Sequence, residues 1–295
     1  MHTDRAVALD TTPTSGRRRW AIVLLVVALS MTMLLWSQPR AVAATSAPAT
    51  TYYVALGDSI AAGYDATSPY DTYAGLVYTH ELSAYPGLQP ESFACSGATT
   101  ASVIAGPSCD PSAGTQLARA ESFLAAHRGH VALVTIDIGM NNIYDCMLPP
   151  GPNMSCVATG LSQVSSQLPL ILSGLKAADP GVTIVAMNYY DPFVVYWLAG
   201  DYTWALESLN IVSSLNAELS TAYASAGVAM ADVYTAFQSQ DYNTGYLNGV
   251  AEPQDVVTMC TWTESCQGDP HPNNLGHAVI AGAFYPLLPS GPIKS

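Results

Sequence analysis

The chain has 295 residues and a formal net charge of −13, from 22 aspartates and glutamates against 9 lysines and arginines. A surface of this sign repels nucleic acids and anionic membranes and favours neutral or cationic partners, so we expect no nucleic-acid partner. Hydrophobic residues make up 49% of the chain, which is enough to bury the core of a domain.

The first 44 residues have the pattern of a secretory signal. A basic cluster at 17–19 precedes an apolar stretch from Trp20 to Trp36, and small residues follow. This order is typical of exported proteins. An uncleaved membrane anchor is the alternative, because the stretch is nearly long enough to span a bilayer. We expect a secreted, extracellular protein without stable membrane insertion once residues 1–44 are removed, and a short disordered lead-in at 45–50.

Residues 51–295 are expected to form a single domain in which apolar, β-rich runs alternate with segments of helical spacing. The predicted strands are Tyr52–Leu56, Leu88–Phe93, Val131–Ile138, Val182–Asn188 and Val228–Asp232. The predicted helices are Thr72–Leu82, Gly114–His127, Val157–Ala178, Thr203–Ala226 and Pro272–Phe284. This alternation predicts an α/β fold with a parallel sheet, helices on both faces, and a ligand crevice beyond the carboxyl ends of the strands.

The six cysteines all follow residue 44, and an even number in an exported chain indicates disulfide bonds. Six cysteines allow 15 pairings. Metal binding is the rival interpretation, but the sequence has no CxxC or HExxH spacing. Pairing in sequence order is the simplest scheme, and its pairs are Cys95–Cys109, Cys146–Cys156 and Cys260–Cys266.

Polar clusters follow the predicted strands at the edge where an α/β sheet binds its ligands. Ser59 follows the first strand, Gly97 the second and Asn141 the third, while Asp269 and His271 precede the final helix. Each has an ordinary explanation as a cap, a turn or a loop residue. Their convergence on one sheet edge favours a catalytic site.

These clusters resemble the conserved blocks of the SGNH/GDSL hydrolases, in particular secreted actinobacterial-type esterases and lipases. The blocks occur in the family's order and extend from Tyr52 to Ala283. They are Gly57-Asp58-Ser59, the glycine of Cys95-Ser96-Gly97-Ala98-Thr99, Gly139-Met140-Asn141, and Asp269-Pro270-His271-Pro272-Asn273 with Gly276-His277.

The resemblance implies a three-layer α/β/α, flavodoxin-like fold and hydrolysis of carboxylic esters without a metal or other cofactor. It makes Ser59 the nucleophile, His271 the general base and Asp269 the third member of the triad. The backbone N–H groups of Ser59 and Gly97 and the side-chain amide of Asn141 become the oxyanion donors. The chemistry needs these residue types, because a serine hydroxyl is a poor nucleophile until an imidazole accepts its proton.

The sequence departs from the family pattern at two positions. Asn142 stands where the family usually has aspartate, and we expect little damage to catalysis because Asn141 remains. Only Pro270 separates Asp269 from His271, whereas two residues are usual. The short reach of the aspartate leaves two candidate partners for the imidazole, Asp269 and a backbone carbonyl near Trp262.

An aromatic stretch after the fourth strand is the candidate substrate-binding region. We expect Tyr190, Phe193 and Trp197 to line an acyl pocket or a lid, although packing onto the domain would also explain them. His277 falls within the helical pattern of the last segment, so we expect it to be an ordinary packed or surface histidine.

Together these features predict a secreted, monomeric serine esterase or lipase that acts on a small-molecule or lipid ester. A carbohydrate O-acetyl esterase on the same scaffold is the enzymatic alternative. A non-catalytic surface protein that keeps the fold to bind a ligand is the alternative from another class.

Overall fold

The structure is a computed structural model that describes residues 50–106, 109, 111–289 and 291. The predicted signal segment 1–44 and the lead-in up to residue 49 lie outside the described residues. These described residues all belong to one compact unit.

Five parallel strands form the central sheet, in the order β2-β1-β3-β4-β5. Every residue of β3 is buried, which is typical of parallel strands covered on both faces. All five predicted strands are present, and their bounds are β1 Tyr52–Gly57, β2 Gln89–Ser92, β3 Val131–Asp137, β4 Ile184–Met187 and β5 Ala229–Ala231.

The helices alternate with the strands and include all five that the sequence predicts. Several begin at a residue whose side chain caps the first turn, as with Thr72, Asn153 and Asn273. In chain order they are α1 Ser59–Ala62, α2 Tyr73–Glu81, α3 Thr100–Ala105, α4 Gln116–Ala126, α5 Met154–Ala178, α6 Tyr202–Ser225, α7 Val233–Ala236, α8 Gln254–Trp262 and α9 Asn274–Phe284.

The helices form two groups that flank the sheet. Helices α3, α4, α5 and α6 pack against one another, and α9 packs against α2, α7 and α8. Central parallel strands between two helical layers make the three-layer α/β/α arrangement, and the predicted fold class is confirmed.

Several described elements were not predicted from the sequence. A short 3₁₀ helix covers Pro192–Ala199, and an antiparallel hairpin joins β6, Thr244–Leu247, to β7, Val250–Pro253. The hairpin turns at Asn248 and Gly249, which both have positive φ. An Asn-Gly pair between short apolar runs is a strong hairpin signal, so this element could have been found.

Three disulfides connect the cysteines in sequence order, as the simplest scheme predicts. They join Cys95 to Cys109, Cys146 to Cys156 and Cys260 to Cys266. Within the described residues, no helix combines the length and hydrophobicity needed to cross a bilayer.

Candidate active site

The nucleophile turn begins where β1 ends at Gly57. This glycine has a φ of 140°, and a Cβ on it would lie 1.5 Å from Oδ1 of Asp137. The backbone N–H and C=O of Gly57 both bond the side-chain amide of Gln116, each at 2.9 Å. Only glycine therefore allows the chain to leave the strand here and present Ser59 at the start of α1.

Asp58 holds this turn in place through hydrogen bonds of its backbone and side chain. Its backbone N–H donates to Oδ1 of Asp137 at 2.9 Å, and its own Oδ1 accepts the N–H of Ile60 at 2.9 Å. Its second carboxylate oxygen accepts the hydroxyl of Tyr189 at 2.7 Å. Burial raises the pKa of Asp58 to about 6. Burial, together with repulsion from the Asp58 carboxylate, raises the pKa of Asp137 well above its ordinary value.

Ser59 and His271 are in hydrogen-bond contact although 212 positions separate them in the chain. The distance from His271 Nε2 to Ser59 Oγ is 2.7 Å, and Ser59 is 7% exposed. The other ring nitrogen, Nδ1, bonds Oδ1 of Asp269. The imidazole ring lies 4.3 Å from that of Tyr64, centroid to centroid. This is the geometry that transfers a proton from a serine hydroxyl to an imidazole held by a carboxylate.

The sequence left two candidate partners for the imidazole of His271, namely Asp269 and a backbone carbonyl near Trp262. The structure shows which of them makes the contact. Asp269 Oδ1 also accepts the backbone N–H of His271 at 3.1 Å, so the short spacing folds into a tight turn around the carboxylate. The carbonyl of Trp262 instead accepts the N–H of Asn273 at 3.0 Å. In the structure the partner of His271 Nδ1 is therefore Asp269 and not this carbonyl.

The loop that carries His271 is tied to its surroundings mostly through the backbone. The carbonyl of His271 accepts the N–H of Glu264 at 2.9 Å, and Thr263 forms an isolated antiparallel bridge with Pro272. The hydroxyl of Tyr190 donates to the carbonyl of Pro270 at 2.7 Å. Tyr190 thereby links the end of β4 to the histidine loop.

The predicted oxyanion donors lie around the same cavity. Ser59, Gly97 and Asn141 all line it. Gly97 has a φ of 76°, a left-handed conformation that favours glycine. Nδ2 of Asn141 donates to the carbonyl of Ala98 at 3.1 Å, which holds the amide in one orientation next to the Gly97 loop.

Asn142 stands where aspartate is usual, and both the oxygen and the nitrogen of its side-chain amide have hydrogen-bond partners. Its Oδ1 accepts the backbone N–H of Thr100 at 3.0 Å. Its Nδ2 donates to the hydroxyl of Thr100 at 2.8 Å and to Oε1 of Gln163 at 3.2 Å. An ionised aspartate would lose both donations, so asparagine suits the hydrogen-bond partners that surround this position here.

The cavity beside Ser59 has a volume of about 250 Å³ and walls that are mostly apolar or aromatic. Tyr190 lines it, as predicted. Phe193 and Trp197 do not line it, and their substrate-binding role stays a prediction. Asp191 caps the 3₁₀ helix by accepting the N–H of Phe193, whose ring is buried 5.2 Å from that of Tyr144. Trp197, further along the 3₁₀ helix, lines a separate groove.

His277 is buried in α9, away from the reacting groups. Its Nδ1 accepts the backbone N–H of Tyr73 at 3.2 Å, so Nε2 carries the proton and donates to the carbonyl of Tyr64 at 3.2 Å. Burial lowers its pKa to about 4. His277 is therefore a packed, neutral histidine, as its helical position suggested.

One group of possible metal ligands occurs within the described part of the chain, formed by Asp65, Asp269 and His271. Both ring nitrogens of His271 are already engaged, one by Ser59 and the other by Asp269. The arrangement suits proton transfer and leaves no imidazole lone pair for a metal ion.

Three supporting residues of the site were missed from the sequence: Gln116, Asp137 and Tyr189. Asp137 carried a usable signal, because a carboxylate inside a continuous apolar strand is rarely buried without a specific partner. Gln116 and Tyr189 carried none, since their partners in the nucleophile turn lie 59 and 131 positions away.

Comparisons with known proteins agree with this fold and this order of motifs. Residues 55–279 match the GDSL-like lipase/acylhydrolase family, and the chain belongs to that family. No curated protein gives a significant match.

Two solved structures illustrate the fold. An extracellular lipase from Streptomyces rimosus is 21% identical with a TM-score of 0.53, and the alignment covers 79% of this chain and 100% of that one. The lipase Lip_vut3 from a goat rumen metagenome is 17% identical with a TM-score of 0.54, and the alignment covers 83% of this chain and 100% of that one.

Proposed function

We propose that this protein is a secreted serine esterase that hydrolyses carboxylic esters through an acyl-enzyme on Ser59. The observation that carries the proposal is the 2.7 Å contact between Ser59 Oγ and His271 Nε2, beside a cavity lined by Gly97 and Asn141. Membership of the GDSL-like lipase/acylhydrolase family supports the same reaction class.

In the proposed reaction Ser59 Oγ attacks the ester carbonyl carbon while its proton passes to His271 Nε2. The N–H groups of Ser59 and Gly97 and the amide of Asn141 stabilise the oxyanion of the tetrahedral intermediate. The C–O bond to the alcohol then breaks, and His271 protonates the leaving alkoxide. Water, deprotonated by the same imidazole, releases the carboxylic acid and restores Ser59. Asp269 holds Nδ1 protonated throughout and stabilises the imidazolium.

The size of the cavity supports a short acyl group. A volume of about 250 Å³ lies just below the range, roughly 300–1,000 Å³, of pockets that enclose drug-sized ligands. The side chains of Tyr144, Tyr190 and Met140 on its wall offer apolar surface and no charge. We therefore infer a preference for short-chain esters over long-chain lipids.

Two features support secretion. The first 44 residues have the order of a signal peptide. All six cysteines are paired in disulfides, which form and persist in oxidising compartments.

The decisive experiment is Ser59→Ala, assayed with p-nitrophenyl acetate and with a fluorophosphonate probe. We expect kcat to fall about 10⁴-fold or more and labelling to vanish, while the circular dichroism spectrum is unchanged. Ser96→Ala is the matched control, because Ser96 lines the same cavity without contacting His271, and it should keep most activity. Undiminished turnover by Ser59→Ala would refute the proposal.

A panel of substrates tests the acyl preference. p-Nitrophenyl esters of increasing chain length should show the highest kcat/KM at the short end. Hydrolysis of acetylated xylan above that of simple acetates would favour the carbohydrate esterase. Triglyceride as the best substrate would overturn the short-chain inference.

A further inference from the structure

A second depression, the flank groove, lies apart from the candidate active site. Its walls are the 3₁₀ helix 192–199 and α6 on one side and the β6–β7 hairpin with the start of α8 on the other. Its volume is about 450 Å³. The groove shares no lining residue with the cavity beside Ser59.

The groove combines apolar walls with two aromatic rings. Val194, Leu206 and Leu209 supply aliphatic surface. Trp197 and Tyr242 supply the rings, and Tyr242 is 58% exposed. Such walls would bind the hydrophobic body of a small organic molecule.

The polar groups of the groove are acidic. Glu252 and Asp255 line it, and no lysine, arginine or histidine does so within the described residues. Nε1 of Trp197 donates to Oε2 of Glu252 at 3.0 Å, which connects the two walls and holds the indole in place. Carboxylates next to aromatic faces attract cations both directly and through the ring quadrupole.

Asp255 is the feature that points to a ligand. It is 1% exposed, and its Oδ1 accepts the backbone N–H of Val256 at 2.8 Å. Its Oδ2 is buried and has no hydrogen-bond partner in the described structure. A buried carboxylate oxygen without a donor is unfavourable, and a protonated amine entering the groove would supply both a donor and the opposite charge.

We propose that the flank groove is a binding site for a protonated amine that carries an apolar body, with the ammonium at Asp255 and the body against Trp197 and Tyr242. The net charge of −13 favours the same ligands from a distance. This site does not depend on hydrolysis at Ser59.

The test is calorimetric titration of the full chain with phenethylamine at pH 8. Burial raises the pKa of Asp255 to about 6, with a further contribution from Asp241, so the carboxylate is ionised at this pH. 2-Phenylethanol has the same body and a neutral donor, and phenyltrimethylammonium has the charge without an N–H. We expect phenethylamine to bind most tightly of the three.

Asp255→Asn is the first variant, because it removes the charge and keeps the Oδ1 that accepts the N–H of Val256. We expect it to weaken phenethylamine binding about 10- to 100-fold. Glu207→Gln is the matched control, since Glu207 lies on α6 beside Leu206 but does not line the groove, and its affinity should be unchanged. Tyr242→Ala alters an exposed ring and should weaken binding even if Asp255→Asn folds poorly.

Three results would overturn the proposal. One is the absence of saturable phenethylamine binding up to about 10 mM, an affinity too weak for a specific site. The second is equal binding of 2-phenylethanol or phenyltrimethylammonium, which would show that the N–H and charge together are not recognised. The third is unchanged affinity in both Asp255→Asn and Tyr242→Ala. The circular dichroism spectrum of each variant, recorded in parallel, shows whether the variant is folded.

Discussion

The two halves of the Ser59–His271 contact are held in different ways. The strand-end floor, formed by Gly57, Asp58, Asp137 and Tyr189, is buried and bonded through side chains from several elements. The histidine loop, residues 263–272, lies nearer the surface and is held mainly by backbone hydrogen bonds, with the Asp269 side chain 37% exposed. The proposed nucleophile, Ser59, thus lies in the core, whereas the proposed base, His271, lies on a loop that packs against it.

This difference predicts that substitutions in the floor lower mainly the stability of the fold. Substitutions in the histidine loop should lower mainly kcat. A buried group cannot be altered without disturbing its packed neighbours. A loop side chain can be removed while most of the fold remains intact. The following variants are chosen to test that separation.

The largest effect is expected from Gly57→Ala in the floor. The new Cβ would lie 1.5 Å from Oδ1 of Asp137 at a φ of 140°, so we expect a loss of about 3 kcal/mol or more in the free energy of unfolding. Gly249→Ala is the matched control, with a φ of 84° and no atom within 4 Å. It should cost only the backbone strain, about 1 kcal/mol. Urea unfolding measures both, and equal losses would contradict the role of the close approach.

In the histidine loop, Asp269→Ala should lower kcat about 100-fold with little change in stability. The substitution removes the acceptor for both the imidazole Nδ1–H and the backbone N–H of His271. Asp269→Asn keeps an oxygen acceptor, so its kcat should lie between that of Asp269→Ala and that of the wild type. A loss below threefold in Asp269→Ala would mean that the carboxylate does not orient His271.

Removal of the Cys260–Cys266 disulfide should have a smaller effect on the same loop. The bond links the end of α8 to the segment that precedes Asp269, so the double alanine variant should lower kcat about tenfold and stability by about 2 kcal/mol. The Cys146–Cys156 double variant is the comparison, because it removes another short cross-link that lies outside the histidine loop. Equal losses of kcat in both variants would show no special dependence on the histidine loop.

The last prediction concerns Asp191, which lies next to the floor. Its replacement by asparagine should raise the stability of the fold in a pH-dependent way. Burial raises its pKa from 3.8 to about 7, so the folded state takes up a proton between these values and stability falls as the pH rises across them. Asp191→Asn cannot ionise and can donate to Ser208 Oγ, which contacts the carboxylate at 2.7 Å. We expect a gain in the free energy of unfolding at pH 8 and none at pH 4.

Urea unfolding at the two pH values measures this gain. Asp201→Asn is the control. Asp201 caps α6 and is exposed, so its carboxylate pays no desolvation cost that the substitution could remove. A gain at pH 8 that equals the gain at pH 4 would contradict the assigned cause.

The sequence predicted the sheet, the main helices and the block residues because those features are local. Strand β3 is a nearly continuous apolar run, and Ser59, Gly97 and Asn141 lie two to five residues after strand ends. The contacts that hold the site are not local. Asn142 bonds Thr100 from 42 positions away, and neither residue indicates the other in the sequence.

The aromatic stretch after β4 shows a different limit of sequence reasoning. Tyr190, Phe193 and Trp197 share the same composition signal, yet one lines the cavity, one is buried in the core and one lines the flank groove. Which side each ring faces depends on the 3₁₀ helix that Asp191 caps. A pattern of hydrophobic residues does not determine that geometry.

The positions of the three disulfides couple the site to the redox state of its surroundings. Each bond secures a segment next to a site residue, with Cys95 near Gly97, Cys146 near Asn141 and Cys266 near Asp269, while the sheet itself contains none. In a reducing cytoplasm the sheet would keep its packing but these segments would lose their cross-links. Under the proposed function, a fully cross-linked site would therefore form only in an oxidising compartment.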